Sequence, residues 1–140
     1  VVSIAAHVFC EQITVDSIRK ARTEWENGKL KKKLHRYHME NTETAFTGWN
    51  NVWLDPSFMD WNIEKYLSRI DVPVLAVQGQ EDPYGTRSQV ESIVTNCAGP
   101  ATPLLIPGCG HAPHIEKTTL LLDVLSDFIR NPETPVVDKM

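Results

Sequence analysis

The spacing of apolar residues changes near residue 72, and that change divides the chain. Val1 to Phe9 is dense in Val, Ile, Ala and Phe, the pattern of a strand covered on both faces. Helical spacing follows. Thr14 is placed to cap a helix with Asp16 in its first turn, and Val15, Ile18, Arg22 and Trp25 recur at helical intervals until Gly28. Leu30, Leu34 and Tyr37/His38 mark a second stripe. Ala45, Phe46, Trp49, Val52 and Trp53 mark a third, broken at Asp55-Pro56. Ile63, Tyr66/Leu67 and Ile70 predict a fourth, short helix that Asn62 could cap.

Beyond residue 72 the pattern alternates. Val72 to Gly79 is a β-branched run that predicts a strand. Thr86 to Asn96 predicts a helix with a Thr86…Gln89 capping box and Val90, Ile93 and Val94 inside. Thr102 to Ile106 predicts another strand, ended by Pro107-Gly108. Lys117 to Arg130 predicts an amphipathic helix with Leu121, Val124, Leu125, Phe128 and Ile129 on one face. The expected organisation is a strand and the start of an insertion over 1–13, a helical block over 14–71, a βαβα unit over 72–130 and a flexible tail over 131–140. The class is α/β, with three mainly parallel strands and right-handed crossovers.

Two loops in this arrangement follow the carboxyl ends of strands, where open parallel sheets place their ligands. One is Gly79-Gln80-Glu81-Asp82-Pro83-Tyr84-Gly85, the other Gly108-Cys109-Gly110-His111-Ala112-Pro113-His114. Taken singly, Asp82 reads as a turn residue and His111 as a loop histidine. In consecutive strand–loop positions they read better together, as a carboxylate that orients an imidazole and stabilises its protonated form.

Composition narrows the partners. A formal net charge of -4 argues against a nucleic acid, which requires a basic face. No apolar run is long enough to cross a bilayer. Three cysteines, Cys10, Cys97 and Cys109, lie far apart without a C-x-x-C pair, which predicts reduced thiols and a cytoplasmic location. The apolar first residues lack a charged n-region and an initiator Met, which suggests a truncated or split product.

The run Pro73-Val74-Leu75-Ala76-Val77-Gln78-Gly79-Gln80-Glu81-Asp82 and the pair Gly110-His111, with acid and histidine 29 residues apart, resemble the carboxyl-terminal half of an α/β-hydrolase. The resemblance covers nearly the whole chain except the tail. It implies that Asp82 and His111 are the acid and the histidine of a catalytic triad, and that the helical block is the cap inserted after the sixth strand. It implies neither cofactor nor metal. His7 and Phe9, at the end of the first strand, fall near the acyl pocket by the same resemblance. Phe46, Trp49 and Trp53 are further pocket candidates, although aromatics at helical spacing are more often core. A wall of such residues would suit an apolar or aromatic acyl substrate.

The chain departs from the family pattern in one respect: no G-x-S-x-G occurs, and none of its serines sits between glycines. The resemblance therefore implies that the nucleophile and the oxyanion hole lie outside this chain. It also implies that the chain is ordered only beside an amino-terminal half of the same hydrolase or a second copy of itself. The alternatives are a dehalogenase-type hydrolase with an Asp nucleophile and a non-catalytic protein that keeps the fold. A Cys109–His111 nucleophile is a weak rival, because a neighbour in a tight turn seldom points at its i+2 partner. Histidine pairs at i,i+3, His35/His38 and His111/His114, lack the further ligands of a metal site. The lysines and arginines of the helical block, Lys31 to Lys33 among them, read as a solvated face or as attraction for an anionic substrate.

Overall fold

The computed structural model describes residues Val1–Pro132; the tail expected over 131–140 lies outside the described residues from 133 onward. Three parallel strands, β1 (Val2–Ile4), β2 (Val74–Gly79) and β3 (Ala101–Ile106), form one sheet in that order. The helices are α1 (Gln12–Glu26), α2 (Lys29–His38), α3 (Thr42–Trp53), α4 (Arg87–Asn96), the single turn α5 (Pro113–Glu116) and α6 (Thr118–Arg130). Two compact units result: a sheet unit of Val1–Phe9 with Asn62 onward, and a helical unit of Cys10–Trp61. The helical stretch expected over 14–71 thus divides. Its last part, the 3₁₀ segment Glu64–Arg69, belongs to the sheet unit.

In the sheet unit, β2 is buried along its whole length. Its side chains alternate between faces, as extended backbone requires. Leu75 and Val77 join Leu104, Ile106, Leu121, Val124 and Phe128 on the α6 side. Val74 and Ala76 join Val8, Leu67, Val90 and Ile93 on the α4 side. Cover on both faces explains why the strand reads as a continuous apolar run. Each fully buried aliphatic side chain there contributes about 1.5–3 kcal/mol.

Several local expectations are corrected. The first strand spans three residues rather than nine, because Ala5 turns to φ 49° and leaves the extended region. Val8 still reaches the core, from irregular backbone. Helix α1 starts at Gln12, with Glu11 as its extended first cap. Thr14 lies inside it, on the buried face with Ile18 and Ala21 at i, i+4, i+7 spacing. Ile129 is not on the buried face of α6 but 74% exposed; Leu121, Val124 and Phe128 carry that face. Tyr37, at the end of the second stripe, is also exposed. Asn62 accepts the Glu64 N–H at 2.8 Å, and the segment it starts is 3₁₀.

The helical unit holds its own core. The Trp25 ring stacks on Phe46 at 4.1 Å, and Trp49 meets Phe46 edge-on. Asn50, fully buried, donates to the Ile18 carbonyl at 3.1 Å and accepts from Arg22 Nε at 2.8 Å. Its amide needs those partners, since an unpaired buried polar group is costly. The unit's two ends meet: Cys10 N–H donates to the Trp61 carbonyl at 3.0 Å. One residue outward, Phe9 and Asn62 form an antiparallel bridge in the sheet unit, and Ile63 N–H donates to the Val8 carbonyl.

Glycines separate two situations sharply. A Cβ on Gly79 would stand 2.1 Å from the Gly110 carbonyl oxygen and 2.2 Å from that of Cys109, whereas a Cβ on Gly48, inside α3, meets nothing within 4 Å. Gly79→Ala is therefore expected to destabilise by several kcal/mol, on the order of 3. Gly48→Ala should stabilise by about 0.4–1 kcal/mol. Urea unfolding of both variants checks this; a Gly79→Ala protein as stable as the parent would refute the close approach of the two loops.

Candidate active site

The parallel register sets the site. Gly79 pairs with Ile106 and Ile4 with Val77, so the segments after all three strands leave the same edge of the sheet. The first delivers His7, the second Asp82 and the third His111. Backbone hydrogen bonds join the last two loops: Gln80 N–H to Ile106 O and Glu81 N–H to Cys109 O, both at 3.0 Å. Glu81 Oε1 also accepts the Gly108 N–H at 3.1 Å, and Gly108 has φ 61°, which glycine adopts without penalty.

Within that frame Asp82 and His111 meet. His111 Nδ1 lies 2.9 Å from Asp82 Oδ2 and 3.0 Å from Oδ1. The Asp82 side chain is 1% exposed and that of His111 42% exposed. Asp82 Oδ1 also accepts the Tyr84 N–H at 2.8 Å. The Gln78 amide nitrogen lies 3.4 Å from Asp82 Oδ2 and donates to the Gly85 carbonyl at 2.7 Å, which ties the loop closed. Burial would push the Asp82 carboxyl up. The hydrogen bonds from His111 and Tyr84, together with the charges of His111 and His7, outweigh it and hold the group below its ordinary value. The carboxylate occupies Nδ1, and Nε2 has no hydrogen-bond partner among the described residues. That half of the ring can exchange a proton with a reacting group.

The other residues singled out in the sequence take varied places. The His7 ring is 6.3 Å from that of His111, and the Tyr84 ring is 4.8 Å from it. Phe9 packs beside the core cluster on the α4 side of the sheet, and its carbonyl accepts from Gln89 Nε2 at 3.1 Å. Gln89 Oε1, in turn, accepts the Val8 N–H at 2.8 Å. In the helical unit Phe46 is buried, Trp49 is 37% exposed, and Trp53 packs against Phe58 and Trp61. Cys109 is buried in the core on the α6 side, and burial, with Glu116 nearby, raises its thiol, the opposite of what activates a nucleophile.

Sequence reasoning missed the residues that hold the pair. Gln78 had a visible signal, a lone polar residue in an apolar strand. Glu81 and Glu116 had none, since exposed glutamates on loops and short helices are common.

No family model matches the chain. Among curated proteins it is similar to the α/β hydrolase domain-containing protein aho-3 of Caenorhabditis elegans, 30% identical over 103 residues, a match that takes in 69% of this chain and 30% of that protein. Among solved structures it resembles a serine hydrolase involved in carbazole degradation, with a TM-score of 0.65 at 16% identity, over 92% of this chain and 53% of that one. An esterase from Thermogutta terrifontis gives a TM-score of 0.57 at 14% identity, over 95% of this chain and 56% of that one. The chain thus spans about a third to somewhat over half the length of the proteins it matches.

The lowered Asp82 value has a pH consequence. A depressed carboxyl stabilises the fold above its unfolded pKa of about 3.9, and that contribution is lost as pH falls through the lower folded value. The His111–Asp82 contact should therefore persist at pH 4 and break only below it. Carbon-13 titration of the Asp82 carboxyl checks this, and a midpoint above 4 would contradict the geometry.

Proposed function

We propose, for a chain that belongs to the α/β-hydrolase fold superfamily, that it supplies the acid and the histidine of a Ser-His-Asp triad hydrolysing an ester, thioester or activated C–C bond. The observation that carries this reading is the two-oxygen contact of a buried Asp82 carboxylate with Nδ1 of a half-exposed His111. His111 Nε2 takes the hydroxyl proton of the nucleophile as it attacks the carbonyl carbon. Asp82 stays ionised, holds the tautomer and stabilises the imidazolium. The same Nε2 then gives the proton to the leaving group, and water repeats the cycle on the acyl-enzyme. The nucleophile and the oxyanion donors come from outside these 140 residues, from an amino-terminal half of the same hydrolase; that half, or a second copy exchanging strands, orders the chain. An apolar or aromatic acyl group is the proposed substrate class. Reduced cysteines fit a cytoplasmic setting, and all three are free. Among the described residues no helix is long and apolar enough to cross a membrane.

The edge of the sheet supports the partner. Val2 and Ile4 on β1 are exposed, and among the described residues β1 pairs only with β2, which leaves a strand edge open to further pairing. Alone, the chain should show no nitrophenyl-ester hydrolysis and should dimerise or aggregate on sedimentation. In the complete assembly, His111→Ala removes nearly all activity, and Asp82→Asn lowers kcat by up to about 10⁴-fold with the fold intact. A stable, active monomer, or wild-type turnover in His111→Ala, would overturn the reading.

A further inference from the structure

The loop bearing His111 is anchored at both ends and bare in the middle. Cys109 is 1% exposed within the core, and Pro113 is fully buried. Between them Gly110 and Ala112 have no side chain long enough to anchor the peptide. Their N–H groups converge on one carboxylate: Glu116 Oε2 accepts from Gly110 at 2.7 Å, and Oε1 accepts from Ala112 at 3.0 Å. The two donors flank His111, so a single side chain grips the backbone on either side of the imidazole. The shorter of the two has the length of a charge-assisted bond. Both bonds favour the ionised form and hold the Glu116 carboxyl below its ordinary value. The grip is close: a Cβ on Gly110 would come within 3.1 Å of Glu116 Oε1. Short α5 places the carboxylate there, since its turn is closed by Glu116 N–H donating to the Ala112 carbonyl at 2.9 Å. Asp82 fixes the rotation of the imidazole through Nδ1. Glu116 fixes the backbone from which the ring projects. Both are needed to define where Nε2 points.

We propose that Glu116 is a positioning residue for His111, acting through the loop backbone and not on the substrate. Its catalytic consequence rests on the triad reading above; its effect on the imidazole does not. Histidine-selective nitrogen-15 NMR, with this chain labelled and held in the assembly that orders it, separates the two. With the clamp intact, the His111 Nδ1 proton facing Asp82 is expected to exchange slowly with water. Glu116→Ala should speed that exchange at least ~10-fold while the amide signals of β2 and β3 stay in place. Glu116→Gln, which keeps one acceptor oxygen, should be intermediate and also covers the case in which the alanine variant does not fold. In the active assembly, Glu116→Ala should lower kcat by roughly 10- to 100-fold, the scale of a small misplacement of a catalytic group, with KM unchanged. In an Asp82→Asn background the same change should add less than about two-fold, because both residues act through one imidazole. Unaltered exchange in both variants, or losses that multiply fully in the double variant, would overturn the proposal. General loss of β2 and β3 amide signals in both variants would reduce Glu116 to a structural role and overturn it equally. An assembly without hydrolase activity would sink the triad reading and leave the NMR result standing.

Discussion

Everything at the strand ends depends on how closely two backbones approach at Gly79. Carbonyl oxygens of Cys109 and Gly110 occupy the space where any other residue would carry its Cβ. The approach lets Glu81 N–H reach Cys109 O and lets the Glu81 side chain reach Gly108 N–H. With the two loops laced in this way, the distance between Asp82 and His111 becomes a property of the backbone and not of two flexible side chains. A pair held by main-chain contacts is preorganised, which is where much of the advantage of a built site over a chance encounter lies.

The carboxylate itself is a case of competing terms. Taking an anion out of water is unfavourable, and a buried charge survives only when its oxygens are occupied. Asp82 meets that condition with one backbone donor, one amide and one imidazole. The same donors that make burial tolerable also aim the oxygens. Gln78 carries part of the burden, at the cost of its own carbonyl oxygen, which is buried without a hydrogen-bond partner. Such an unsatisfied group in the middle of an otherwise apolar strand is a local sacrifice of stability beside the buried carboxylate.

How much of this could be read in advance follows the physics of each element. β2, β3, α4 and α6 were legible because each buries a face, and burial writes period 2 or 3.6 into the sequence. The alternation of strand and helix then placed Asp82 and His111 on neighbouring loops. β1 was less legible: its apolar run continues through Val8 and Phe9, yet pairing stops where Ala5 adopts φ 49°. A run of apolar residues records burial, and irregular backbone can bury Val8 as well as a strand can. Thr14 misled for a related reason, since a threonine on a buried helix face looks the same as a threonine at a cap. The clamp on the histidine loop left no trace, because it consists of backbone donors, which every residue carries.

The meeting of Cys10 with Trp61, and of Phe9 with Asn62 just outside them, has a consequence for how such a chain can change. A segment whose entrance and exit adjoin can be lengthened, shortened or exchanged without altering the path of the chain on either side, as domain insertions and permutations show. The 52 residues from Cys10 to Trp61 are such a segment. The parallel strands and their loops, by contrast, are locked to one another through Gly79 and tolerate little. Variation is thereby channelled into the helical unit while the acid and the histidine stay where they are. A lineage built on this plan can rewrite one unit many times over without disturbing the other.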